Sequence, residues 1–154
     1  MRAVPTSTPL HFAHLTTEQA AELRASSPTT VLLWPVGATE PHGPHAPLAT
    51  DLIIAEGMCH RLATSLREDP ELGALILPTL PFGVTRYARA FTGCIHVEEE
   101  TLHAMILDVA RSLAAQGFDR LVVVNCHFEP EHVGTLHRAL ADAERETGGA
   151  LGYL

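Results

Sequence analysis

Hydrophobic and polar positions along the chain fall into alternating blocks of two kinds: short, continuously apolar runs and longer stretches with helical spacing. Val31-Leu32-Leu33-Trp34-Pro35-Val36, Ala74-Leu75-Ile76-Leu77 and Leu121-Val122-Val123-Val124 are apolar throughout, the pattern of strands buried on both faces. Between them the period changes. Leu52, Ala55, Cys59, Leu62 and Leu66 mark one helical face, which gives way to Arg67-Glu68-Asp69-Pro70. Leu102, Met105, Ile106, Val109 and Leu113 mark a second. Glu98, Glu99 and Glu100 suit its positive N-terminal end, and Gly117 stops it. Val133, Leu136, Leu140 and Ala143 mark a third, with Pro130 in its first turn and Gly148-Gly149 beyond its end. Ahead of the first strand, Thr16 and Gln19 have the spacing of a capping box, opening a short helix through Leu23 that Pro28 closes.

Strands alternating with helices at these lengths predict βαβ units: a parallel sheet with helices on both faces, joined by right-handed crossovers. The 154 residues fit one domain, long enough to close a core without disulfides. Two stretches escape the alternation, Gly37 to Thr50, dense in Gly and Pro, and an irregular segment from Pro78 to about Cys94. A further strand is expected at Ala150-Leu151-Gly152-Tyr153-Leu154, and with it a sheet that is incomplete at its end.

Charge and composition narrow the partners. Ten Lys and Arg against eighteen Asp and Glu give a formal charge of −8, which argues against nucleic acid or an anionic membrane and favours a small neutral or cationic substrate. Met1-Arg2-Ala3-Val4-Pro5 lacks the apolar stretch of a signal peptide, and no apolar run approaches bilayer length. Cys59, Cys94 and Cys126 are odd in number and lack zinc-finger spacing, so a reducing cytosol is the expected compartment. No Gly-x-Gly-x-x-Gly or Walker loop follows a predicted strand, which counts against a nucleotide-binding module. The unusual figure is ten histidines, of which His42, His45 and His127 fall at strand ends and in tight loops.

Ligands of open parallel sheets bind at the carboxyl ends of the strands, and two of those ends are rich in ligating residues. Glu40-Pro41-His42-Gly43-Pro44-His45 and then Asp51 follow the first strand; Asn125-Cys126-His127-Phe128-Glu129 follows the third. Two His and three carboxylates, Glu40, His42, Asp51, His127 and Glu129, are the nitrogen and oxygen donor set that suits Zn²⁺ or Mn²⁺. Five donors exceed one tetrahedral zinc. A bridging carboxylate would let them hold two ions, the arrangement that makes a hydroxide at neutral pH and polarises a carbonyl. Each residue also has a plainer role. Asp51 could be the N-cap of the following helix, His42 and His45 exposed turn residues, and Glu129 a carboxylate in the field of a helix N-terminus. Cys126 reads as packing rather than nucleophile, and His60, His103 and His137 as solvated helix surface.

Leu33 to His45 with Asp51, Leu77-Pro78-Thr79-Leu80-Pro81-Phe82-Gly83, Phe91-Thr92-Gly93-Cys94, and Gly117-Phe118 through Asn125-Cys126-His127 together resemble the creatininase (creatinine amidohydrolase) family. The resemblance implies a three-layer α/β/α fold with a mostly parallel sheet and a homo-oligomer, often a hexamer. It makes Glu40, His42, Asp51, His127 and Glu129 the ligands of two divalent ions, Zn²⁺ or Mn²⁺, with Asp51 as the bridge, and His127 and Glu129 the candidate catalytic residues. The implied activity is hydrolysis of a C–N bond in a small cyclic or formyl amide by a hydroxide made at the metal. Related members act on other amides, sugar rings or precursor peptides. Phe128-Glu129-Pro130 matches the family's His-x-Glu form, whereas Thr92-Gly93-Cys94 and Ala88 depart from its usual residues at the substrate side. Members also continue past the equivalent of Leu154 with residues that act on substrate. The resemblance therefore implies a single domain over residues 1–154 that is C-terminally incomplete, with weak or no turnover, and leaves a non-catalytic metal-binding remnant as the alternative.

Overall fold

A computed structural model describes residues 9–26 and 29–154; the Met1–Pro5 stretch and Pro28 lie outside the described residues. A short 3-10 turn, Phe12–His14, precedes α1 (Thr17–Ser26), and then β1 (Thr30–Val36), α2 (Thr50–Leu66), β2 (Gly73–Ile76), α3 (Glu99–Ala115), β3 (Arg120–Asn125), α4 (Pro130–Thr147) and β4 (Ala150–Tyr153) follow. The strands form a four-stranded sheet in the order β2-β1-β3-β4, and every pairing is parallel. The three-layer α/β/α expectation holds, and the strand expected at Ala150 pairs with β3.

Alternation along buried strands sets up the layers. Leu32, Trp34 and Val36 of β1, Leu75 of β2 and Leu121 and Val123 of β3 point to one face, where they pack with Leu102, Ile106 and Leu113 of α3, Leu136 and Leu140 of α4 and Leu23 of α1. Leu33, Ala74, Ile76 and Val124, one residue out of phase, point to the other face and meet Cys59 and Ala63 of α2. Successive strand side chains face opposite ways, so a strand with both faces covered must be apolar at every position.

The helix ends follow their sequence signals. Thr16 and Gln19 form the reciprocal pair, Thr16 N–H to Gln19 Oε1 at 2.9 Å and Gln19 N–H to Thr16 Oγ1 at 3.2 Å. Gly148 caps α4 in the left-handed conformation, φ 69°, and its N–H donates to the Glu144 carbonyl. One position of the α3 stripe differs. Met105 is exposed, and Leu107 and Ala110 are buried, because α4 covers a face of α3 centred slightly further round the helix.

Candidate metal centre

Parallel register brings the ends of β1 and β3 together, Val36 beside Asn125, so the loops that follow open side by side at the carboxyl edge. The first turn of α2 crosses directly over the end of β1. A Cβ added at Gly37 would sit 2.8 Å from the Asp51 Cβ and 3.1 Å from Leu52; the close approach requires glycine. This contact sets Asp51, 3 % exposed, above the Glu40 loop.

The structure brings Glu40, Asp51 and His127 together, with one donor atom from each within 4.8 Å of the others. His127 Nδ1 lies 3.0 Å from Glu40 Oε1 and 3.3 Å from Asp51 Oδ2. His42 joins from the other side, its Nε2 2.9 Å from Asp51 Oδ1. The two carboxylate oxygens of Asp51 are thus divided between two imidazoles. Asp51 is not the helix cap: Ala49 occupies that position without a side-chain bond, and the Asp51 oxygens face the two rings instead.

Backbone carbonyls behind both rings assign their tautomers. His127 Nε2 lies 2.8 Å from the Val84 carbonyl and His42 Nδ1 lies 3.1 Å from the Glu40 carbonyl, so each of these nitrogens carries the proton that it donates. The lone pairs of His127 Nδ1 and His42 Nε2 are then aimed at carboxylate oxygens, an arrangement of acceptors facing acceptors that a cation or an extra proton must resolve. Asp51 Oδ2 is buried without a hydrogen bond, 3.3 Å from the unprotonated His127 Nδ1. Burial alone pulls the His127 pKa down, but Asp51, the Val84 carbonyl and Glu40 together raise it above the usual imidazole value. Chemically the residues fit a hard or borderline divalent ion.

Glu129, also predicted as a ligand, stands outside this cluster. It is buried, and its Oε1 and Oε2 accept the backbone N–H groups of Arg86 at 2.8 Å and Tyr87 at 3.2 Å. It is the residue before α4, yet its carboxylate makes no capping bond to that helix. Glu40, His127 and Glu129 border one cleft of about 750 Å³, walled by Tyr87, Phe91 and Phe128. These three aromatics are largely exposed. His45 is exposed and takes no part. Cys126 is buried with its Sγ 3.6 Å from Met58 Sδ, and burial followed by the Asp51 charge raises its thiol pKa, which fits packing rather than nucleophilic attack.

Sequence reasoning missed the residues that hold His127 in place. His132 is fully buried on α4 and meets the His127 ring edge-on, centres 4.7 Å apart. Its Nδ1 accepts the Val84 N–H at 3.2 Å, so its Nε2 carries the proton and donates to Asn125 Oδ1 at 3.1 Å. Asn125 in turn donates to the His127 carbonyl at 2.6 Å. Val84 therefore holds both rings through its N–H and C=O. A signal was present: His132 lies four residues before Leu136, on the buried stripe of α4.

Burial, and then the neighbouring His127 charge, push the His132 pKa down to about 3. A histidine that stays neutral when folded contributes its full stability above the unfolded value of about 6.5. Below it the unfolded chain takes up a proton that the fold refuses, so stability falls as pH drops from about 6.5 towards 3, by up to about 4 kcal/mol. Denaturant melts of metal-free protein should show this slope, and His132→Gln should flatten it. Equal slopes in both proteins would mean that other groups carry the acid sensitivity.

A parallel α/β/α sandwich with a carboxylate and imidazole cluster at its carboxyl edge defines a class of proteins with a candidate metal site. Within that class the chain belongs to the creatininase family: the family model described as creatinine amidohydrolase matches residues 13–153. It is 35 % identical over 119 residues to a mycofactocin precursor peptide peptidase of Mycobacterium ulcerans (strain Agy99), covering 75 % of this chain and 46 % of that one. It is 33 % identical over 113 residues to a creatinine amidohydrolase of Pseudomonas putida, covering 70 % and 41 %. A crystal structure of creatinine amidohydrolase (creatininase) superimposes with a TM-score of 0.84 at 27 % identity, over 96 % of this chain and 58 % of its own. The chain spans about half the length of the curated relatives it matches.

Proposed function

We propose that this chain carries the metal site of an amidohydrolase that cleaves the C–N bond of a small cyclic or formyl amide. In this reading Glu40, His127 and Asp51 would hold one divalent ion. His42 and Asp51 would hold a second, for which Glu129 is the remaining carboxylate. Zinc and manganese suit the mixed nitrogen and oxygen donors. When bound, the ions would supply a nucleophile at neutral pH and polarise the amide carbonyl. The observation that carries the proposal is the division of the two Asp51 oxygens between His42 and His127.

The chain's own groups do the positioning. The Val84 and Glu40 carbonyls fix which nitrogen of each ring faces Asp51, and both nitrogens of His127 are thereby committed. That makes His127 a ligand, and Glu129, held by the Arg86 and Tyr87 amides at the edge of the cleft, is positioned as the second ion's remaining carboxylate on the substrate side. Tyr87, Phe91 and Phe128 give the cleft apolar walls against which the rest of a small amide can pack. Exposed Ile53 and Ile54 on α2 support a homo-oligomer as part of this reading, with the hexamer that the family resemblance implies as its form. No helix among the described residues is long and apolar enough to cross a membrane, and the three free cysteines suit a cytoplasmic setting.

Assay of the purified chain with creatinine, formamide and a short peptide amide, with added zinc or manganese, tests the proposal. Hydrolysis that EDTA stops and metal restores is expected with at least one of them. Metal binding without hydrolysis of any would leave a non-catalytic metal-binding protein.

A further inference from the structure

Three histidines that take no part in the candidate centre meet on the β2 side of the sheet. The segment ahead of α1 lies along β2: the Ile76 N–H donates to the Leu10 carbonyl at 2.9 Å, and His11 forms a parallel bridge with Ile76. The Phe12–His14 turn follows, closed by the His14 N–H on the His11 carbonyl at 3.1 Å. Phe12 anchors it by packing edge-on against Phe118, ring centres 5.5 Å apart. His11 and His14 are thus positioned by backbone bonds and a packed ring. His60 arrives from α2, one helical turn after Glu56.

The His11 ring centre lies 5.0 Å from that of His60 and 5.1 Å from that of His14, with interplanar angles of 66° and 49°. Two imidazoles bound to one tetrahedral ion through ordinary metal–nitrogen bonds hold their ring centres about 5 Å apart. Both spacings match that figure and neither pair is stacked, and the nitrogens of the three rings do not converge within 4.8 Å of one another in this conformation. We propose that His11, His14 and His60 form a second metal site, for a single zinc-like divalent ion, with Glu56 as a neighbouring carboxylate.

His14 and His60 are exposed, so their rings turn freely to complete a site that His11, half-buried, anchors. The Glu56 carboxylate is oriented by the Thr79 hydroxyl, which donates to its Oε1 at 2.5 Å. Burial, with His60 and His14 nearby, lowers the His11 pKa against the opposing pull of Glu56, which keeps a lone pair free at neutral pH. The site is separate from the candidate catalytic one, because His60 follows Asp51 by about 13 Å along the axis of α2. An ion here would fasten the N-terminal turn to α2.

Zinc titration of the full chain tests the site, comparing the parent with His14→Gln, His60→Gln and Asp51→Asn. Both histidine changes are at exposed positions, so the fold should survive them. The parent is expected to bind one zinc more than His60→Gln or His14→Gln, and Asp51→Asn should keep that equivalent. Zinc should also protect His14 and His60 from acylation by diethyl pyrocarbonate, mapped by mass spectrometry. His14→Gln and His60→Gln binding as much zinc as the parent, with no protection of either residue, would overturn the proposal.

Discussion

Asp51→Asn is expected to lose at least one metal ion and nearly all hydrolysis while keeping the fold. An amide replaces one carboxylate oxygen with a donor, so the two imidazoles can no longer share a bridging anion through both atoms. The loss of charge stabilisation amounts to several kcal/mol, on the order of a 10³-fold fall in rate. Stability should respond in the opposite sense. Asp51 is buried close to Glu40, and it caps nothing. Removing one of two crowded carboxylates should leave the metal-free protein as stable as the parent or more so. Metal content by elemental analysis, with the melting temperature of the metal-free variant, checks both halves. Full retention of metal would remove Asp51 from the site, and a collapse of the metal-free fold would make it a structural residue.

Stripping the metal should have the second largest effect. The candidate ligands come from the β1 loop, the start of α2 and the end of β3, which the unfolded chain holds apart, so an ion would bind the native state alone. At a free concentration a thousandfold above its dissociation constant it stabilises the fold by about 4 kcal/mol. For a chain of this size that raises the melting temperature by on the order of 10 °C. EDTA should remove the increment and added zinc should return it. An unchanged melting temperature would count against a formed site.

The layers were legible because the strand runs are apolar at every position and the helix stripes are not, a difference that survives without tertiary information. The capping box at Thr16 and Gln19 was legible for the same reason: its two partners are local. The cluster of Glu40, His42, Asp51 and His127 could be assembled from sequence because parallel strands with crossover helices must bring their carboxyl ends to one edge. The tautomers and the placement of Glu129 could not be read. They depend on the irregular segment from Pro78 to Cys94, which folds back over that edge and supplies the Val84 carbonyl and the Arg86 and Tyr87 amides. Backbone groups carry no residue-type signature. His132 escaped because a buried histidine inside a helix looks, by type, like a solvated one; only its position on the Leu136 stripe marks it.

If, as proposed, Asp51 bridges two ions between His42 and His127, anomalous diffraction from crystals of the chain grown with zinc measures this directly. Two peaks are expected, one on each side of the Asp51 carboxylate and roughly 3.5–4 Å apart, the first against Glu40 and His127 and the second against His42. Peaks only at other histidines, or no peak within bonding distance of Asp51, would contradict it.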